Sequence, residues 1–376
     1  MNIPFNKPYL PIASVIHIAR GALAGTIAGN GRYTKDCHKF FEQRFGFKKA
    51  LLSTSCTDAL EMASILCDIA PGDEVIVPSF AYMSTANPFL LRLARVVFAD
   101  CLPDVPNIDP DQIEQLITPK TRVITVVHYG GFACDMDRII EIARKNNILV
   151  VEDAAHAIDS YFRGRPLGSI GHFGTFSFHE TKNIISGEGG MLTVNDDQFL
   201  QRAEIIWEKG TNRAAFHRGE IDRYHWVDIG SSFLPSDTVA AFLYTQLVRF
   251  DRIQQNRKNL WWSYYQTLKP LEDKGFLKCP VIPEFATVNG NMFYITVEKT
   301  ATRDRLLDHL IRKGIHAVIH YFPLHSSPFF REKHDGRPIP NTERFSETMI
   351  RLPFYNALRK NQIRYICREL ESFFQG

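Results

Sequence analysis

Short apolar runs alternate with amphipathic stretches over the first 245 residues of the chain. Seven of these runs are rich in β-branched and aromatic residues: KALLSTS, DEVIVPSF, ARVVFAD, TRVITVVHY, NILVVEDA, GTFSFH and GGMLTVN. Several are apolar at nearly every position, which is typical of strands covered on both faces. Stretches between them, such as TDALEMASILCDI and MDRIIEIARKNN, have helical spacing. The pattern predicts a large α/β domain, residues 1–245, with a mostly parallel mixed sheet between helices.

The pattern changes after residue 245. The stretch LYTQLVRFDRIQQNRKNLWWSYYQTLKPLEDKG predicts one long helix that ends at Gly275. NMFYITVE, TRDRLLDHLIRKG and IHAVIHYFP then predict a strand, a helix and a second strand. We therefore predict a smaller C-terminal α+β domain, residues 246–376, joined to the first domain by the long helix.

Polar side chains stand where the predicted strands end. They are Ser55, Thr57, Ser79, Tyr82, His128, Asp153, His156, Ser177 and Lys182. Ligands of open parallel sheets bind outside the carboxyl ends of the strands. We therefore expect these side chains, which come from separate parts of the chain, to lie along one edge of the sheet.

Two of these side chains belong to charged types that proteins seldom bury without a partner. Asp153 ends the apolar run in VVEDAAHA, where it either caps a helix or faces a cationic ring nitrogen. Lys182 lies between a strand and the turn GEGG, where it is either an exposed loop lysine or a neutral amine that bonds to an aldehyde. Each residue alone leaves both interpretations open.

A phosphate-binding turn and a stacking ring complete the set of candidates. The segment Ser55, Cys56 and Thr57 leads from a strand into a helix, whose first amides suit a phosphate or need only a cap. No Walker A sequence or GxGxxG follows a strand, which disfavours a dinucleotide site. Tyr82 either stacks on a planar ligand or belongs to the core. A reactive lysine, a carboxylate, a phosphate turn and an aromatic ring are together the parts that pyridoxal 5'-phosphate (PLP) requires.

The charge and cysteine content exclude several other classes. The 376 residues carry a net charge of +3, from 44 basic and 41 acidic side chains, which is too even for a nucleic-acid or acidic-membrane partner. Seven cysteines without CxxC spacing favour neither a disulfide framework nor a metal site and predict a cytoplasmic protein. The sequence shows no signal-peptide run and no stretch of the roughly 20 apolar residues that span a membrane.

Longer motifs resemble one enzyme family over nearly the full chain. GDEVIVPSF, STANPF, VHYGG, VVEDAAHA, GTFSFHETKN, GEGGMLTVND and YFPLH resemble the DegT/DnrJ/EryC1/StrS sugar aminotransferases, which are fold-type I PLP-dependent enzymes. NIPFNKP, VHYGGFACDMD, FSFHETKN, EKGTNRAAFHRGEID, DIGSSFLPSD and RLPFYN are most similar to the dTDP-4-amino-4,6-dideoxygalactose transaminases. The resemblance implies transfer of an amino group from L-glutamate to C4 of dTDP-4-keto-6-deoxy-D-glucose. It also implies a homodimer with shared active sites and a place in the biosynthesis of cell-surface polysaccharides such as O-antigen or enterobacterial common antigen.

The resemblance assigns a role to each matching residue. Lys182 matches the Schiff-base lysine, Asp153 the acid at the pyridine nitrogen, His156 the residue at the ring hydroxyl and Tyr82 the stacking ring. The implied phosphate ligands are Cys56, Thr57 and Ser177, with Ser232 from the partner subunit, and Ser55 is a further candidate for cofactor binding. Beyond these matches, Lys209, Arg213 and Arg218 either meet the nucleotide diphosphate or belong to a solvated loop. His320, Tyr321 and His325 either line the sugar pocket or have core or supporting roles.

This chain departs from the family pattern at three positions. Many members have Gly in place of Cys56 and Asn in place of Ser232, and the most similar members have His in place of Asn291. These changes leave alternative substrates open, namely a 3-keto sugar or a GDP- or UDP-linked 4-keto sugar. A family dehydratase is disfavoured because those enzymes replace the lysine with histidine. The intact set of Lys182, Asp153 and the phosphate turn speaks against a non-catalytic nucleotide-sugar-binding or regulatory protein.

Overall fold

The central sheet is built from the seven apolar runs. A computed structural model describes residues 2–25 and 27–375 of the chain. Its first nine strands are β1 (Lys49–Ser53), β2 (Glu74–Pro78), β3 (Arg95–Ala99), β4 (Thr121–Val127), β5 (Leu149–Asp153), β6 (Tyr161–Phe162), β7 (Arg165–Pro166), β8 (Phe173–Ser177) and β9 (Gly190–Val194). β6 and β7 form a separate ribbon, and the other seven form one sheet in the order β1-β9-β8-β5-β4-β2-β3. β9 runs antiparallel to both of its neighbours, β1 and β8, and the other adjacent strands pair parallel, as predicted for a mostly parallel mixed sheet.

Helices cover both faces of the sheet. They are α1 (Ala13–Leu23), α2 (Arg32–Phe45), α3 (Cys56–Leu66), α4 (Asn87–Leu91), α5 (Pro110–Leu116), α6 (Met136–Lys145), α7 (Leu200–Trp207), α8 (Arg213–His217) and α9 (Asp237–Leu247). Successive side chains of a strand point to opposite faces. In β2, Ile76 therefore packs in one core while Val75 and Val77 pack in another. The almost wholly apolar strands follow from this double coverage.

A third core belongs mainly to the C-terminal part of the chain. Its elements are α10 (Phe250–Asp273), β10 (Phe293–Thr296), α11 (Thr300–Arg312), α12 (Pro340–Thr348), β11 (Met349–Leu352) and α13 (Lys360–Gln375). β10 and β11 pair antiparallel. This arrangement is the small α+β region that the sequence predicts, and the division into residues 1–245 and 246–376 stays a prediction. Within the described residues, we find no helix with the length and apolarity that crossing a membrane requires.

Two predictions for the C-terminal part are wrong. The predicted single helix is two helices, because α9 ends at Leu247 and α10 begins at Phe250. The segment IHAVIHYFP forms no strand and makes only isolated bridges, from Ile315 to Ile3 and from Val318 to Arg351. The strand that pairs with β10 is instead β11, which follows α12 without an intervening turn. A four-residue strand joined directly to a helix has no boundary that the apolar pattern can show.

The N-terminal arm packs against the C-terminal part rather than against the sheet. The amide of Ile3 donates to the carbonyl of Gly314 at 2.8 Å, and the amide of His316 donates to the carbonyl of Ile3 at 3.0 Å. Ile3 is fully buried in the third core. The amide of Phe354 donates to the carbonyl of Phe5 at 3.1 Å. The arm is thereby fixed near the carboxyl edge of the sheet.

Candidate active site

A cavity of about 460 Å³ opens where β4, β5 and β8 end. Eight predicted cofactor residues line it: Ser55, Cys56, Thr57, Tyr82, Asp153, His156, Ser177 and Lys182. His320 and Tyr321 from the C-terminal part line it as well. The expected convergence on one edge of the sheet is therefore observed for these residues, while the chemical role of each stays a prediction.

The side-chain amine of Lys182 has no polar partner among the residues that the structure describes. It lies in the loop between β8 and β9, and its backbone amide donates to the carbonyl of His179 at 2.9 Å. Within residues 2–25 and 27–375, no side chain forms an ion pair or a hydrogen bond with its Nζ atom. Burial lowers the pKa of Lys182 to about 8, with Arg351 acting in the same direction and Cys56 and Asp153 opposing. About a tenth of the amine is therefore neutral at pH 7, far more than for a lysine of ordinary pKa, and the exposed-loop interpretation does not hold.

Asp153 is a buried carboxylate at the end of β5. The hydroxyl of Thr85 donates to its Oδ2 at 2.7 Å, and the amide of Ala155 donates to its Oδ1 at 3.1 Å. Burial raises the pKa of Asp153, against the effect of these hydrogen bonds. No helix begins after Asp153, so the helix-cap interpretation is wrong. A carboxylate that is held in place but not neutralised suits a cationic ring nitrogen.

The neighbouring residue, Glu152, fixes the end of β5 from the opposite face. Its carboxylate is fully buried and accepts backbone amides of the loop before β8, from Gly168 at 2.8 Å, Ile170 at 2.7 Å and Gly171 at 2.6 Å. His128 adds a fourth hydrogen bond, because its Nδ1 accepts from Cys134 and its Nε2 donates to Glu152 at 2.9 Å. Four donors on one carboxylate make this strand end rigid, so Asp153 has little freedom to move.

The N-terminus of α3 provides amides at the other end of the cavity. Ser55 caps the helix by accepting from the amide of Asp58 at 3.0 Å. The amides of Cys56 and Thr57, in the first turn, have no intrahelical acceptor. A Cβ atom on Gly190 would lie 2.3 Å from the carbonyl oxygen of Ser55 and 2.4 Å from the nitrogen of Cys56. Only glycine therefore lets β9, which pairs Gly190 with Ser177, approach this turn.

Tyr82 and His156 line the region between these two ends. Tyr82 is 53% exposed, so it is not a core residue, and its ring centre lies 6.0 Å from that of Tyr321. His156 is buried, and its Nδ1 accepts from the amide of Gly130 at 3.4 Å. Burial first, and then the charge of Lys182, lower the pKa of His156 well below its usual value, so the ring is neutral. An exposed aromatic ring and a neutral imidazole in one cavity suit a flat ligand.

Several lining residues were not identified as site residues from the sequence. Phe5, Ser84, His179 and Arg351 line the cavity, and Thr85 holds Asp153. Arg351 is a charged residue within the short apolar run MIRL, which was the available signal. Nothing in the local pattern distinguishes Phe5, because only the packing of the N-terminal arm brings it to the cavity.

Other predicted residues lie away from this cavity. His325 is buried outside it, where its Nδ1 contacts the hydroxyl of Ser79 at 2.7 Å. His128 also lies outside this cavity, where it is hydrogen-bonded to Glu152. Four residues line a second cavity of about 710 Å³: Lys209, Arg213, Arg218 and Ser232. No side chain of that group reaches the cavity of Lys182 in the same chain. Their predicted contacts with a substrate, or with a partner's cofactor, stay predictions.

The residues present fit PLP as a bound group. The partner-free amine suits an aldehyde, the buried carboxylate suits a pyridinium nitrogen, and the amides at the N-terminus of α3 suit a phosphate. Because Gly190 has no side chain, β9 lies close to the backbone of Ser55 and Cys56 without filling the space at this phosphate turn. In the part of the chain that the structure describes, no three His, Cys, Asp or Glu side chains are grouped to hold a metal ion.

Comparisons with known proteins agree with this fit. The profile of the DegT/DnrJ/EryC1/StrS aminotransferase family matches residues 14–371. SpsC from Bacillus subtilis, a spore coat polysaccharide biosynthesis protein, is 29% identical over 383 positions, covering 100% of this chain and 97% of SpsC.

Solved structures match over the whole chain. The PLP form of Spr1654 from Streptococcus pneumoniae, assigned as a sugar aminotransferase, is 26% identical, with a TM-score of 0.91 over 100% of this chain and 99% of Spr1654. An aminotransferase from Psychrobacter cryohalolentis is 26% identical, with a TM-score of 0.93 over 99% of both chains. These matches confirm the predicted fold class, a fold-type I PLP-dependent transferase, and the predicted cofactor, PLP.

Proposed function

The chain belongs to the DegT/DnrJ/EryC1/StrS aminotransferase family and is a PLP-dependent sugar aminotransferase, and we propose that its sugar substrate is nucleotide-linked. In this proposal it transfers the amino group of L-glutamate to C4 of dTDP-4-keto-6-deoxy-D-glucose. The product is dTDP-4-amino-4,6-dideoxygalactose. The observation that carries the transaminase chemistry is the partner-free amine of Lys182 in a cavity shared with Asp153 and the amides of Cys56 and Thr57.

Each of these residues has a defined task. Bound PLP supplies an electron sink for the carbanion that transamination creates. With its pKa lowered to about 8, Lys182 takes a proton from the α-carbon of the amino acid and returns one to the sugar carbon. Asp153 keeps a facing ring nitrogen protonated, and the first amides of α3 hold the phosphate. Because one amine serves both halves of the reaction, it must stay free of any salt bridge.

We propose that the enzyme works as a homodimer with shared active sites. Along and before α1, large apolar residues are exposed, among them Ile12 at 84%, Val15 at 69% and Leu23 at 88%. Trp226, in the loop before Ser232, is 82% exposed. Several large apolar residues exposed along one helix are typical of a protein interface. The same loop region carries Lys209, Arg213, Arg218 and Ser232, which do not line their own chain's Lys182 cavity and are therefore available to a partner's site.

The biological setting is part of the proposal. SpsC is named for spore coat polysaccharide biosynthesis, and we propose that this chain likewise serves the synthesis of a cell-surface polysaccharide, such as O-antigen or enterobacterial common antigen. The seven cysteines are free thiols, which supports a reducing cytoplasm as the place of action. The substrates are small molecules, a nucleotide-linked keto sugar and L-glutamate.

A different keto sugar is the second candidate. Asn291 lines the cavity and donates to the side chain of Asn183 at 2.7 Å, so its amide is committed to the protein. The transaminases that the sequence most resembles have His at this position, and Asn presents a different surface to the sugar. A 3-keto sugar or a GDP- or UDP-linked 4-keto sugar therefore remains the alternative. A non-catalytic nucleotide-sugar-binding protein is the more distant one.

A substrate panel tests these proposals. The purified, PLP-loaded protein is incubated with L-glutamate and dTDP-, UDP- or GDP-linked 4-keto-6-deoxy sugars, or a 3-keto analogue, and each product is identified by NMR. The proposal predicts amination of the dTDP sugar at C4 with the galacto configuration, coupled to release of 2-oxoglutarate. Amination of another panel member would contradict the substrate. If glutamate bleaches the visible PLP absorbance but no sugar product forms, only the reaction with the amino donor is supported. If the absorbance does not change, the non-catalytic alternative is favoured.

A further inference from the structure

Arg351 is a cation on a rigid strand that faces the active-site cavity. It is the third residue of β11, where it pairs with Tyr294 of β10. On the other side its amide donates to the carbonyl of Val318 at 2.8 Å, and the amide of Val318 donates back at 3.0 Å. Residues two apart in a strand share a face. Met349, on the same face of the strand, accepts a hydrogen bond from the hydroxyl of the buried Tyr129, and Arg351 itself lines the cavity of Lys182.

The guanidinium of Arg351 contacts only neutral groups of the protein. Its Nη1 atom lies 3.1 Å from Nδ1 and 3.3 Å from Nε2 of His320. A guanidinium has no acceptor, so the imidazole must accept and is neutral. The centre of the guanidinium lies 5.0 Å from the centre of the Phe5 ring. Its Nε atom is buried and has no hydrogen-bond partner, and no carboxylate of residues 2–25 and 27–375 pairs with the group.

Two other partly or fully buried cations of the C-terminal part are compensated. Arg257 is 3% exposed and donates to the carbonyls of Gly290 and Asn291, each at 2.8 Å. Lys258 donates to the carboxylate of Asp159 at 2.6 Å. A charge that leaves water without a charged or fully hydrogen-bonded partner is costly. Arg351 therefore differs from its neighbours by leaving its charge directed at the cavity, where an anionic ligand would neutralise it.

The phosphate of the cofactor has a separate site. The amides of Cys56 and Thr57, at the N-terminus of α3, face the cavity from the large sheet, whereas Arg351 faces it from β11 in the C-terminal part. Lys209 and Arg213, the predicted contacts of the nucleotide diphosphate, line the second cavity. Arg351 is thus available, in the cavity of Lys182, to bind an anionic group of a substrate that reacts beside Lys182.

We propose that Arg351 binds a carboxylate of the amino-acid donor. This assignment rests on the proposed aminotransferase function, because the donor must place its α-carbon at the amine of Lys182. The α-carboxylate is one bond from that carbon, so its negative charge necessarily lies beside the reacting centre. The planar guanidinium matches a carboxylate in a way that a lysine ammonium does not. Anchoring on a paired strand rather than on a loop gives this contact a fixed position.

The binding of glutarate to the PLP-loaded enzyme tests this site without requiring catalysis. Glutarate is a dicarboxylate that lacks the reacting amine, and its dissociation constant is measured by isothermal titration calorimetry. Arg351→Gln should weaken glutarate binding about 10- to 100-fold, as expected when a charge-assisted hydrogen bond is lost. Arg351→Lys, which keeps the charge but not the planar fork, should recover part of the affinity. Arg368→Gln, on the exposed side of α13, is the matched control and should bind like the wild type.

Kinetics then separate the donor from the sugar. For Arg351→Gln, the KM for L-glutamate should rise about as much as the glutarate dissociation constant, while the KM for the keto sugar stays within about twofold of the wild type. Unchanged glutarate binding would overturn the proposal. A loss confined to the keto sugar would also overturn it, because the anion bound by Arg351 would then be the diphosphate.

Two controls separate failure of this proposal from misfolding of a variant and from failure of the proposed aminotransferase function. The thermal midpoint of each variant is measured, and if Arg351→Gln does not fold, the Lys variant carries the same test with a smaller expected loss. Wild-type protein that binds glutarate through Arg351 but releases no amino group from any amino acid would contradict the proposed function. In that case the carboxylate site would stand and its assignment to an amino donor would be overturned.

Discussion

The side-chain amide of Asn291 donates to Oδ1 of Asn183 at 2.7 Å, which links the C-terminal part to the residue next to Lys182. Asn183 in turn donates to Gln254 of α10 at 3.0 Å and to the carbonyl of Asn289 at 3.0 Å. Asn183 and Asn291 are both buried, so this chain of amides works without competition from water. The loop that carries the reactive amine is therefore held from two parts of the fold.

Replacing Asn291 by Ala should cost both stability and turnover. The change leaves Oδ1 of Asn183 buried without a donor, which should destabilise the protein by about 1–3 kcal/mol in urea unfolding. It should also lower kcat, because the loop next to Lys182 loses a constraint. Gln255→Ala, which removes an exposed amide from α10, is the control and should change neither. An Asn291→Ala enzyme with wild-type stability would show that the amide chain does not hold the loop.

Lys182→Met should stabilise the cofactor-free protein while abolishing transamination. Burial lowers the pKa of Lys182 to about 8 in the folded state, so folding below pH 8 must accommodate a charge that the unfolded chain holds in water. The unfolded chain binds more protons between about pH 8 and pH 10, so the contribution of Lys182 to stability rises with pH across that range. The variant should gain roughly 2–3 kcal/mol at pH 7 and much less at pH 10.

Unfolding in urea at a series of pH values measures this difference. Lys258→Met is the informative comparison, because Lys258 is paired with Asp159 and its removal should destabilise the protein instead. Equal stability of wild type and Lys182→Met at pH 7 would mean that the amine is not desolvated. Measurable turnover by Lys182→Met would exclude Lys182 as the proton carrier.

Gly190→Ala should weaken binding of PLP. The added Cβ atom would lie 2.3 Å from the carbonyl of Ser55, so the strand or the N-terminus of α3 must shift. Such overpacking costs about 1–3 kcal/mol and displaces the amides that hold the phosphate. The dissociation constant of PLP, followed by fluorescence, should rise by the corresponding factor. Gly21→Ala in α1, where the new Cβ atom meets only ordinary contact at 3.4 Å, should leave PLP binding unchanged.

Val15→Asp should split the proposed homodimer. Val15 is 69% exposed on α1, and a charge there would be buried without a partner if this face forms the interface. Sedimentation should show that dimer association is weakened by roughly 2 kcal/mol or more, with loss of activity at low protein concentration. Ile311→Asp, on an exposed apolar position of α11, is the control. A Val15→Asp protein that sediments like the wild type would place the interface elsewhere.

The sequence predicts the sheet and its functional edge well because both depend on short-range patterns. Seven apolar runs become the seven strands of the sheet, and polar residues that end them, such as Asp153 and Ser177, line the cavity. Arg351 and Phe5 were missed because tertiary contacts decide their position. Arg351 belongs to a strand whose partner lies far away in sequence, and Phe5 follows an arm that is held by Gly314 and His316. The local periodicity of apolar residues does not predict such long-range contacts.

The packing of the N-terminal arm has a practical consequence for how the protein is produced. Ile3 is fully buried, and Phe5 two residues later lines the cavity. An affinity tag, or the residues left by its cleavage, would be attached within a few residues of the active site and would compete with the pairing of Ile3. Gln375, at the end of α13, is exposed. A carboxyl-terminal tag is therefore the better choice for kinetic work, and amino-terminally tagged preparations should show altered substrate constants.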